Sequence, residues 1–192
     1  RDTEPMTELG KIDREAFEEI IYPQLGASRD DVAVGPRHGV DFGVLDLGDV
    51  AMVVATDPIS VLPELGWERA GRLALDIVLT DVAVSGVAPT HLAVNLTLPP
   101  SWSDADLAAL WNGLAGHAAD LGVSIVSGHT ARYPGVDSSW VGGATVMGVG
   151  DHGDVVRPDG ATPGDELVVT TGPAPALTGL LRTLLPRQVG LR

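Results

Sequence analysis

The chain has 192 residues, enough for one ordinary domain or one domain and part of a second. Its 26 acids against 12 bases give a net charge of -14, which excludes a nucleic-acid partner, because such partners are held by Lys and Arg on phosphates. No cysteine occurs, so disulfides, thiolate nucleophiles and Cys-ligated zinc are excluded as well.

Hydrophobic residues make up 44% of the chain and aromatics only 4%, so a core must be built from Val, Leu and Ala. No apolar run reaches the roughly 18 residues that span a bilayer, and RDTEPMTELGKID at the start has no apolar signal-peptide centre. A cytoplasmic protein with no membrane partner is the expectation. Lys11 is the only lysine among the bases. Abundant Asp with almost no Lys suits high salt, although an acidic mesophilic protein from a GC-rich genome has the same composition.

In chain order, DREAFEEIIYPQL (13–25) reads as a short helix capped by Asp13, with Phe17, Ile20 and Ile21 as its buried stripe. The Gly-rich stretch GPRHGVDFG (35–43) follows. FGVLDL (42–47) and VAMVVAT (50–56) read as a hairpin turning at Gly48-Asp49. DPISVLPELGW is then a Pro-punctuated loop. A helix is predicted from Glu68 to about Ser85, with Arg69, Arg72, Asp76 and Thr80 as its wet stripe and Gly86 as its stop.

HLAVNLTL (91–98) alternates as a half-buried strand with Leu92, Val94, Leu96 and Leu98 inward. Ser103 and Asp106 form a capping-box pattern for a second long helix. Its apolar stripe is Leu107, Leu110, Trp111, Leu114, Ala118 and Leu121, and Gly122 stops it. VSIVS (123–127) reads as a short buried strand, GHTARYPGVDSS as a polar loop, and WVGGATVMGVG (140–150) as a strand. The order β-β-α-β-α-β-β implies an α+β fold, a mainly antiparallel sheet with helices on one face. Residues 1–155 form the expected domain. Residues 156–192 read as a linker and the start of a truncated second domain, with a strand at ELVV and a helix at ALTGLLRTLL.

Asp81 stands among Leu79, Val82, Ala83 and Val84, about 100° round the helix from the wet Thr80. A carboxylate there is either buried against hydrogen-bonding partners or faces a cleft. Asp57 ends the predicted strand VVATDP, and Asp41 follows the Gly-rich loop. Each of these two has an ordinary use in capping turns. Together the three carboxylates suit a hard cation such as Mg²⁺ that bridges to phosphate. Arg37 and His38 lie between Gly35 and Gly39, and Arg37 can grip a phosphate bidentately. His129, Thr130 and Arg132 follow the predicted buried strand, and His129 reads as a ligand, a phosphate donor or merely a loop histidine. A metallohydrolase using His38, Asp41 and His129 is an alternative without HExxH support. No Walker loop, GxGxxG turn or GxSxG elbow is present.

The segments GVDFGVLDLGD…VVATDPIS, TDVAVSGVAP and GVSIVSGHTARYPG…VGGATVMGVG resemble the aminoimidazole ribonucleotide synthase-related superfamily over roughly residues 10–180. That superfamily includes thiamine-monophosphate kinase, selenophosphate synthetase and the carbamoyl dehydratase of hydrogenase maturation. The resemblance implies a domain that pairs with a second copy to close a barrel, and that binds ATP with Mg²⁺ held by acids. Asp41, Asp57 and Asp81 match the family's acids, so they are the implied metal ligands. Arg37, His38, Gly39, Thr130 and Arg132 become the expected ATP contacts, with His129 the candidate catalytic base. Two departures stand out: His129 precedes Thr130 where relatives carry an acid, and Val40 precedes Asp41 where they carry a second acid. The implied activity uses ATP to phosphorylate or activate an oxygen of a small acceptor. The alternative is a non-catalytic dimerising module that binds nucleotide or serves as a maturation partner.

Overall fold

A computed structural model describes residues 10–136, 140–169 and 175–185. It contains one six-stranded sheet in the order β1-β2-β3-β6-β4-β5, with two long helices on one face. The strands are β1 (Val32–Val34), β2 (Gly43–Asp46), β3 (Ala51–Ser60), β4 (His91–Leu98), β5 (Ser124–Arg132) and β6 (Trp140–Gly150). The helices are α1 (Arg14–Ala16), α2 (Trp67–Ala83), α3 (Asp104–Asp120) and α4 (Pro175–Leu184).

All strand pairs are antiparallel except β4 with β5. That parallel pair needs a crossover, which α3 supplies. β6 lies between β3 and β4 and runs against both, so β3 and β4 are parallel and α2 is their crossover. The β2–β3 hairpin turns at Gly48, whose φ of 88° is the left-handed conformation that Gly adopts without strain.

Alternation sends every second side chain of the sheet under the helices. Val53, Ala55, Leu92, Val94, Leu96, Leu98, Ala144 and Val146 are buried there against Ala74, Leu75, Val78, Leu110 and Leu114. The two helices touch backbone to backbone. A Cβ added at Gly71 would overlap the Leu110 carbonyl, and one at Gly113 would overlap that of Glu68. The capping box at Ser103 and Asp106 closes both ways as its spacing predicts.

Several expectations are corrected. Residues 14–24 are one α-helical turn, a π-helical turn (Phe17–Ile21) and a 3₁₀ turn (Tyr22–Gln24), with none of the residues fully buried. Ile20 is 63% exposed. Pro23, without an N–H, prevents the segment from continuing as a regular helix. β3 runs on through Asp57-Pro58, so Asp57 is inside a strand and not at its end. Pro58 is tolerated because β2 pairs only with Ala51–Val54, which leaves β3 an edge on that side at Pro58.

β5 is a nine-residue edge strand, mostly exposed, where a short buried strand and a loop were expected. Gly128 lies within it because a Cβ there would overlap the Val94 carbonyl. Leu121, placed on the buried stripe of α3, is 50% exposed. The strand expected at ELVV does not form within the described residues, and Leu167 is 94% exposed. α4 covers the expected terminal helix.

Candidate functional site: an acid cluster beside the Gly-rich loop

α2 packs on β3 and brings two carboxyls together. Asp57 has the inward parity of Ala55 and Ile59, so it points to the helix-covered face while Thr56 points to the other. Asp81 is half-buried in the last turn of α2. The negative end of a helix dipole is a poor place for a carboxylate, and no basic residue in that turn offsets it. Asp81 feels the negative charge of Asp57.

Its carboxyl is pushed up to about 6 by burial first, then by its interaction with Asp57, and further by the Asp41 charge. Lys11 pulls it the other way. The Lys11 ammonium donates to Asp41 Oδ1 at 2.8 Å and is held above the ordinary lysine value, first by that hydrogen bond and by the Asp41 charge, with smaller contributions from Asp81 and Asp57.

The three acids singled out in the sequence lie close enough to act on one another electrostatically, and Lys11 is bonded to Asp41 beside them. Three carboxylates against one ammonium leave two uncompensated negative charges when all are ionised. All the donors are hard oxygens, which fits Mg²⁺ rather than a thiophilic metal. Among the described residues no group of three or more His, Asp or Glu converges closely enough to enclose a metal unaided.

The Gly-rich loop beside Asp41 is a tight turn. Val40 N–H donates to the Arg37 carbonyl, and Gly39 takes a φ of 81°. Arg37 pairs with Asp159, which also receives two hydrogen bonds from Arg157. Those two guanidiniums hold the Asp159 carboxyl down at about 2. His38 meets the ring of Phe17 edge to face, with centroids 6.4 Å apart.

His129, Thr130 and Arg132 lie elsewhere. β5 is three strands from β3, about 14 Å at the usual strand spacing. His129 sits opposite Asn95 on the open face and bonds the Tyr133 hydroxyl at 2.8 Å, so it and the Asp57–Asp81 pair occupy opposite sides of the sheet. Arg132 is tied to Asp104 and the Trp102 carbonyl at the start of α3, and Thr130 is exposed beside it. The grouping of His38 and Asp41 with His129 is therefore not brought together. Lys11 is the residue beside the acids that the motif reading missed, although the sole lysine of an acidic chain was visible as a signal.

Residues 39–150 match the family described as "AIR synthase related protein, N-terminal domain". The chain is 31% identical over 182 residues to a selenide, water dikinase of Geobacter sp. strain M21, covering 93% of this chain and 50% of that protein. It is 26% identical over 163 residues to a putative hydrogenase expression/formation protein of Methanocaldococcus jannaschii, covering 84% and 48%. It therefore spans about half the length of the curated relatives it matches. In fold it is similar to AaThiL complexed with AMPPCP and TMP, with a TM-score of 0.61 at 17% identity, covering 81% of this chain and 48% of that one. It is also similar to T. maritima PurL complexed with AMPPCP, with a TM-score of 0.59 at 20% identity, covering 80% and 27%.

Proposed function

The chain belongs to the AIR synthase related family, and from that premise we propose that it is the nucleotide-handling half of an enzyme that uses ATP to phosphorylate or activate an oxygen of a small acceptor. The observation that carries this reading is the Asp57–Asp81 pair with Asp41 beside it, a partly buried concentration of negative charge with one ammonium to offset it. Asp41, Asp57 and Asp81 would hold Mg²⁺, which when bound neutralises phosphate charge. Lys11 reaches the same place and is positioned to pass from Asp41 to a phosphate oxygen. Arg37, on the adjoining loop, pairs with Asp159 and is a second candidate for a phosphate contact. The 31% relative is named for kinase activity, which supports nucleotide use.

The open face of the sheet is the surface for pairing with a second copy. It presents Thr56, Asn95, His129 and Thr145 around a cavity of about 320 Å³, with Val126 on β5 53% exposed nearby. No helix of the described residues is long and apolar enough to cross a membrane.

Calorimetric titration of ATP with and without Mg²⁺ tests the reading. Binding that requires Mg²⁺ supports it, and binding of equal strength without the metal contradicts it.

A further inference from the structure

We infer that Asp159 is a positioning residue for the acid cluster: the segment leaving β6 ties the end of α2 to the Gly-rich loop, and so sets the spacing of Asp81 and Asp41. This rests on the metal reading above and adds what holds those two acids in place. Residues 156–192 read in sequence as a linker and a truncated domain, but residues 151–159 are laced to the folded domain. His152 Nε2 donates to the Gly48 carbonyl at 3.0 Å in the β2–β3 turn. Val155 packs half-buried against the core. Val156 N–H donates to the Ser85 carbonyl at 2.7 Å. Asp159 accepts from Arg37 on the Gly-rich loop.

Each end of this strap is anchored close to an acid. Ser85, just past the helix end that carries Asp81, is fully buried. Its hydroxyl donates to the Val82 carbonyl at 2.6 Å and accepts from the Val87 N–H at 3.2 Å. Gly86 follows with a φ of 86°, and a Cβ there would overlap the Asp154 carbonyl, so the strap lies directly on this turn. At the other end, the Asp159 carboxylate takes Arg157 Nε and Nη2 at 2.9 and 2.8 Å, and Arg37 Nη2 meets the same Oδ2. A lone exposed ion pair contributes little, but a bidentate one within a network of three charges keeps its geometry. Arg37 is joined to Asp41 through one tight turn, closed by the Val40 N–H on the Arg37 carbonyl. Holding Arg37 therefore holds Asp41. Mg²⁺ demands near-ideal octahedral geometry, so its affinity depends on how the carboxylates are spaced.

The test is the affinity for Mn²⁺ alone, which shares the oxygen preference of Mg²⁺. It is measured on the unaltered chain, Arg37→Gln, Asp159→Asn, Asp159→Glu and the double variant Arg37→Gln with Asp159→Asn. If only charge near the acids mattered, Arg37→Gln would tighten Mn²⁺, Asp159→Asn would weaken it, and the two effects would add. The strap gives a different pattern. Arg37→Gln and Asp159→Asn each lose on the order of tenfold, the double variant loses no more than either, and Asp159→Glu stays within about threefold of the unaltered chain. All four variants are expected to melt with the unaltered chain, since the ion pair is at the surface. Tighter binding by Arg37→Gln, or affinity unchanged throughout, overturns the strap and leaves the metal reading standing. If the unaltered chain binds no Mn²⁺, both fall.

Discussion

The Asp81 carboxyl in the last turn of α2 is set against the negative charge of Asp57 on β3, which together with burial makes its ionised form costly. The folded value of Asp81 lies above its ordinary 3.8, so ionising it opposes folding. The penalty is absent below about 4, grows as pH rises toward about 6, and is fully present above that. Asp81→Asn is therefore expected to melt higher than the unaltered chain at pH 8, by on the order of 1 kcal/mol after allowing for partial exposure, and to lose that advantage at pH 4. Thermal melts at the two pH values check this, and an advantage independent of pH would contradict it.

Lys11 occupies the place a cation would take beside Asp41. Lys11→Met should weaken MgATP binding about fivefold or more, since a phosphate contact is lost. The same variant should bind Mn²⁺ alone at least as tightly as the unaltered chain, because the ammonium no longer competes for the acids. Parallel titrations with MgATP and MnCl₂ separate the two effects. A loss in both would mean that Lys11 only holds the loop in shape.

Gly113 faces the Glu68 carbonyl so closely that no side chain fits between α3 and α2. Gly113→Ala is expected to destabilise the domain by about 1–3 kcal/mol, as overpacking does. Gly116, on the same helix with open space around it, should tolerate Ala with little change. Urea melts of the pair make the comparison.

His129 lies on the open face, across the sheet from the acid pair. His129→Gln is expected to leave MgATP affinity within about twofold and to shift self-association, since it changes a polar group on the proposed pairing surface. Light scattering and calorimetry on the same sample check both. A tenfold loss of MgATP affinity with unchanged association would return His129 to the nucleotide site.

Much of this was legible in the sequence because local patterns and tertiary packing agree. The alternation of HLAVNLTL puts Leu92, Val94, Leu96 and Leu98 in the core, and the position of Asp81 off the wet stripe of α2 marks an acid with a special environment. Where reading failed, tertiary context overrode a local signal. Gly128 looked like a loop residue but is there for close approach of β5 to β4. Pro58 looked like a strand stop but lies where β3 has lost its β2 neighbour. His129 and Arg132 sit near one another in sequence and were grouped with the acids, yet strand order carries them three strands away. No sequence pattern pairs Lys11 with Asp41, since thirty residues and an irregular helical segment separate them.

The most direct test of the central claim is the Mg²⁺-dependent affinity for ATP of Asp57→Asn and Asp81→Asn beside the unaltered chain at pH 8, above the raised value of Asp81. The account predicts that the unaltered chain binds ATP only with Mg²⁺ and that each variant loses about tenfold or more of that affinity while remaining folded. Affinity unchanged in both variants would contradict it and leave the Asp57–Asp81 pair as a structural feature of the β3–α2 contact.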